Sequence, residues 1–92
     1  MSSTVTNLIE QGEKVVRENY HSSDFGEYIS GVDYEEWIAK VIFFMEDNKE
    51  KFPTFLYERV IEAAENAVGN GKQHFDRIIG VLRTVGERQD FQ

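Results

Sequence analysis

The chain has 92 residues, 40% of them apolar and 29% charged, with no cysteine and a formal net charge of −7. That size carries one core and so one domain, 1–92. The missing thiols exclude a disulfide framework or a thiolate metal site, and the acidic balance argues against nucleic acid or membrane as partners.

Val5, Leu8, Ile9, Val15 and Val16 recur at helical spacing, which predicts a first amphipathic helix over about 4–19. Ser3 or Thr4 is placed to cap it. The opening "MSSTVTNLIEQGEK" has neither a basic flank nor a continuous apolar core, so it is not read as a signal peptide. Residues 20–31, "YHSSDFGEYISG", combine turn formers with two glycines and no sustained period. They predict a long loop, with Phe25, Tyr28 and Ile29 folding part of it back onto the core. A second helix is expected over 33–48. Asp33 and Glu36 have the spacing of a capping box, and Val32 and Trp37 that of a hydrophobic staple. Tyr34, Trp37, Ile38, Val41 and Met45 form its apolar stripe, widened by Ile42, Phe43 and Phe44, which makes it the central helix. The apolar run Val41–Met45 is far shorter than the ~20 residues of a membrane span.

Pro53 breaks the pattern and starts a third helix over 53–68. Gly69-Asn70-Gly71 stops that helix, and a fourth follows over 73–85, carrying Phe75, Ile78, Ile79, Leu82 and Val85. The expected fold is therefore all-α, a compact up-and-down four-helix bundle with a long loop between helices 1 and 2. Gly12 and Gly80 lie inside helices, where each costs ~1 kcal/mol relative to alanine. A close crossing of the first and fourth helices would account for both.

Chemical motifs are sparse. Glu18 and His21 make the only Glu-x-x-His pair, whereas di-iron bundles need two such pairs. Glu58, Glu62 and Glu65 share a face of the third helix that reads as solvated surface. A carboxylate/histidine metal enzyme is thus the minor alternative, and no cofactor, metal or catalytic residue is assigned. His21, Ser22, Ser23 and Asp24 contain the residue types of a nucleophilic triad, but adjacent residues in one loop seldom converge as a triad does; local turn chemistry explains them. "GNGK" at 69–72 lacks the rest of a phosphate-binding loop. Arg77, Arg83 and Arg88 are spaced by six and five and do not read as one basic face.

The charge is uneven. Between Glu18 and Asp47 there are eight acids and one base, a balance of −7, while the rest of the chain is neutral with nine of each. Aromatics interleave with these acids, as in recognition patches. The predicted contact face is Asp24, Glu27, Tyr28, Tyr34, Glu35 and Glu36. The competing reading puts Trp37 and Tyr34 in the core and leaves the acids as first-turn residues favoured by the helix dipole.

The segments "LIEQGEKVV", "VDYEEWIAKVIFFMED" and "FDRIIGVLRTVGE" together resemble a small helical accessory domain. It lies N-terminal to the nuclease-like or TIR-like effector domains of bacterial anti-phage defence proteins. The Glu-Glu-Trp around Trp37 is the most distinctive part of the resemblance, and this chain ends where the effector would start. The resemblance implies a defence or counter-defence setting and carries over no catalytic residue. The resulting expectation is a cytoplasmic, non-enzymatic interaction module. Its partner is a protein with a basic surface, and the broad apolar side of the second helix also predicts homodimerisation. The alternative is a phage-encoded inhibitor whose acids imitate nucleic-acid phosphates against a host nuclease.

Overall fold

The computed structural model describes residues 4–88. Four helices, α1 (Thr4–Asn19), α2 (Val32–Asp47), α3 (Thr54–Ala67) and α4 (Gln73–Gly86), pack in the cyclic order α1–α2–α3–α4–α1. The capping role expected of Ser3 lies outside the described residues. A short 3-10 turn, Lys49–Lys51, joins α2 to α3. The one architectural correction concerns residues 20–31. They fold not as an irregular loop but as an antiparallel hairpin of β1 (Tyr20–Ser23) and β2 (Gly26–Ile29), so the fold is helical without being strictly all-α.

The core is built on α2. Tyr34, Trp37, Ile38, Val41, Phe44 and Met45 are all buried there, matching the predicted stripe with Phe44 added. Trp37 is the centrepiece. Its Nε1 donates a 2.8 Å hydrogen bond to the Leu8 carbonyl of α1. That oxygen has a second lone pair for its helical partner. The indole lies over Gly12, where an added Cβ would stand 2.6 Å from Cε2 of Trp37. Gly12 therefore marks a close crossing, but of α1 with α2 rather than with α4. Gly80 does not share in it: it is exposed, and a Cβ there would meet nothing within 4 Å. Tyr34 and Phe75 flank the indole at centroid distances of 6.2 and 5.4 Å. Aromatic pairs in this range add roughly 0.5–1.5 kcal/mol each to the burial term.

The start of α2 also differs from expectation. The helix begins at Val32, with Gly31 at the N-cap and no side-chain capping bond. Starting one residue early puts Asp33 inside the helix, where its carboxylate no longer occupies the capping position, so the Asp33/Glu36 box does not form. Val32 is 69% exposed, which removes the staple; Trp37 is held by α1 instead.

The hairpin is short, and two-stranded hairpins are marginal alone. Its base is tied to the bundle. Ile29 is fully buried, its N–H donates to the Asn70 carbonyl at 3.0 Å, and its own carbonyl accepts from the Gly69 N–H at 2.7 Å. Gly69 has φ +81, a left-handed backbone that favours glycine. The "GNG" stop of α3 thus also anchors the hairpin.

Candidate functional site

The two faces of the hairpin follow from its register. Tyr20, Ser22, Glu27 and Ile29 share one face, and His21, Ser23, Gly26 and Tyr28 the other. On the first, the Tyr20 hydroxyl donates to the Glu27 carboxylate, a bond that holds the phenol pKa above its usual value. On the second, His21 and Tyr28 sit directly opposite and stack at 4.8 Å. Nε2 of His21 lies 3.3 Å from the Ser30 carbonyl and so carries the proton in this pair. At the tip, Ser23 Oγ accepts from the Phe25 N–H and donates to the Gly26 carbonyl, both at 3.2 Å. This is the local turn chemistry expected of the serine pair.

The two-residue turn, Asp24 and Phe25, projects a bare ring. Phe25 is 101% exposed, contrary to the expectation that it folds onto the core. Tyr20 and Tyr28 are each 39% exposed. The hairpin therefore presents three aromatic rings beside the exposed carboxylates of Asp24 and Glu27.

Of the predicted contact residues, Asp24, Glu27 and Tyr28 come together on this element. Tyr34 must be withdrawn. Its exposure is 0%, so no partner can reach it. Its hydroxyl has no hydrogen-bond partner among the described residues. Burial, aided by the charge of Asp76, pushes its pKa up to about 12. Glu35 and Glu36 are both exposed but do not form one patch, because adjacent helical residues point ~100° apart. Glu36 lines a shallow cleft between α1 and α2 with Glu18, Asp33, Lys14 and Lys40. Glu35 falls on the stripe that continues to Glu46, whose carboxylate accepts a bond from the Tyr57 hydroxyl of α3. The acidic segment of the sequence is thus distributed over three places.

Glu18, His21 and the α3 glutamates are not assembled into a site. Among the described residues no three His, Asp or Glu side chains converge as a metal site requires. No helix among them is long and apolar enough to cross a membrane. The excess of ring on α2 is partly absorbed: Phe44 packs edge-on against Phe52 at 6.3 Å, while Phe43 stays 69% exposed.

A second surface has no counterpart in the sequence reading. A groove of about 890 Å³ runs between α3 and α4. Phe55, Leu56, Val81 and Val85 supply its apolar lining, and Gly80 leaves its α4 wall open. Four bases, Lys51, Arg59, Arg77 and Arg88, line it against two acids, Glu50 and Asp76. Arg77 stands on α4 and Arg88 just beyond its C-terminal end, and both reach the groove. Arg83 points to α1, where it pairs with Glu13 at 3.0 Å. The chain matches no protein family, no curated protein and no solved structure.

Proposed function

We propose that this chain is a non-enzymatic protein–protein interaction module whose contact element is the β1–β2 hairpin. The observation that carries the reading is the complete exposure of Phe25 at the tip of an ordered, bundle-anchored turn. A large ring held in water by a hydrogen-bonded turn makes no contribution to the core. It is the kind of aromatic anchor that interfaces bury. Asp24 and Glu27 beside it favour a partner with a basic surface. The resemblance of three helical segments to defence accessory domains supports a defence or counter-defence setting for that contact, and a cysteine-free chain suits a reducing cytoplasm. The phosphate-mimic alternative draws less support, because a mimic needs its acids in a row and Glu35 and Glu36 diverge.

Affinity capture from a bacterial lysate tests the reading with three baits: wild type, Phe25→Ser and the double variant Glu35→Lys/Glu36→Lys. The expected result is a partner that wild type and the double variant retain and Phe25→Ser loses. Identical partners on wild type and Phe25→Ser would refute it. A bound species that dissociates steeply as salt rises, and depends on Glu35 and Glu36, would favour the mimic instead.

A further inference from the structure

The hairpin tip and the α3–α4 groove are complementary to each other. The tip is one exposed aromatic ring with a carboxylate on the adjacent residue and another two positions on, Asp24 and Glu27. The groove is apolar at its floor, with Phe55 66% exposed along it, and is lined by more guanidinium and ammonium groups than carboxylates. Arg59 lies 5.5 Å above the Phe55 ring, so one wall is a cation stacked on an aromatic face. A second ring entering there would meet both an aromatic edge and a cation. The ring of Phe25 does not occupy the groove of its own chain, since it is exposed throughout.

Gly80 adds an independent observation. Glycine in a helix interior costs ~1 kcal/mol relative to alanine, and nothing within the bundle requires it here, because a Cβ would meet no atom within 4 Å. The backbone φ of Gly80 is also not in the left-handed region. What the missing side chain does leave is open space on the α4 wall of the groove. A wall kept bare at a cost to the helix is one that something approaches closely.

We infer that the hairpin tip of one molecule docks in the α3–α4 groove of a second copy of this chain, with Phe25 against Phe55 and Gly80, and Asp24 facing Arg59 and Arg77. This rests on the reading of the hairpin as the contact element and names the surface it meets. Tip and groove are different surfaces, so the contact either closes two-fold as a reciprocal dimer, in which each molecule gives a tip and receives one, or repeats head to tail as a ring or an open chain. One tip buries little more than an aromatic ring and its neighbours, roughly 150–250 Å² for the ring itself. That is well below the ~800 Å² per partner of a standard interface. The association through a single tip is therefore weak and concentration-dependent.

The test is the molar mass in solution, by light scattering, over a concentration series from about 10 µM to about 1 mM, the range a contact at the low end of interface size requires. Wild type is expected to gain mass with concentration. Phe25→Ser is expected to stay monomeric. Gly80→Leu is expected to stay monomeric while melting no lower than wild type, which separates blocked docking from a damaged fold. Asp24→Lys alone and Arg59→Glu/Arg77→Glu alone are expected to lose the association, and an equimolar mixture of the two to recover it. In the mixture, the native tips of one variant meet the native grooves of the other, and the reversed pairs match as well. A wild type that is monomeric throughout, or a mass increase unchanged in Phe25→Ser, would overturn the inference. If Phe25-dependent capture of a different protein persists while self-association is absent, the inference falls and the interaction-module reading stands.

Discussion

Replacing Gly12 by alanine probes the packing on which the core depends. On helix propensity alone the change stabilises by ~1 kcal/mol. The structure predicts the opposite sign. The new Cβ would stand well inside contact distance of the Trp37 indole, 2.6 Å from Cε2, and that ring cannot swing away freely. It is fixed by the Nε1 bond to the Leu8 carbonyl and flanked by Tyr34 and Phe75. Overpacking a core costs about 1–3 kcal/mol. Displacing the indole strains or breaks a buried hydrogen bond, whose loss leaves a donor unsatisfied at a further ~1–3 kcal/mol. Middle values outweigh the propensity gain by about 3 kcal/mol. At 4–8 °C per kcal/mol for a domain of this size, Tm falls by roughly 12–24 °C. Trp37 is the only tryptophan, so urea unfolding followed by its fluorescence reads both stability and the indole's surroundings. Gly80→Ala is the matched control: with open space around it, it should stabilise by about 1 kcal/mol. A Gly12→Ala protein as stable as wild type would refute the close-crossing argument.

Tyr34→Phe removes a buried hydroxyl that has no hydrogen-bond partner among the described residues, so urea denaturation should show stability unchanged or raised by about 1 kcal/mol; a loss larger than that contradicts the burial argument. The same residue predicts alkaline sensitivity. With the folded phenol pKa raised to about 12 from 10, the folded chain keeps a proton that the unfolded chain releases. Stability from this group is whole below pH 10 and falls as pH climbs from 10 towards 12. The fall should be shallower in Tyr34→Phe. Ile29→Ala should cost about 2–5 kcal/mol. By hydrogen exchange it should deprotect the hairpin and the Gly69–Asn70 turn together, because the backbone bonds of Ile29 join them. Independent exchange of the two segments would count against the anchor.

The four helices were legible because each has enough turns to show its period, and their bounds agree with the structure to about one residue. The hairpin was not. Its strands are four residues long, and its turn is Asp24-Phe25 rather than the Asn-Gly or Asp-Gly that marks such turns. Its one buried side chain, Ile29, is secured by a turn some forty residues away, which local pattern cannot show. The capping box failed for a related reason: Asp33 and Glu36 have the right spacing, but with Gly31 at the N-cap α2 starts one residue earlier. At the candidate site, charge density drew attention to Asp24 and Glu27, which the hairpin leaves exposed. It could not tell that Glu35 and Glu36 diverge, nor that Tyr34 lies inside. The cost of Gly80 was visible in the sequence, but its meaning depends on the groove that α3 and α4 form together.

The most direct test of the account is a dilution series of ¹⁵N–¹H correlation spectra of the full chain. If the hairpin tip is the contact element and the groove receives it, amides of residues 23–27 and 77–84 shift together with concentration. Those of α1 stay fixed. Shifts confined to the surface around Phe43, or spectra unchanged up to the highest concentration, would contradict it.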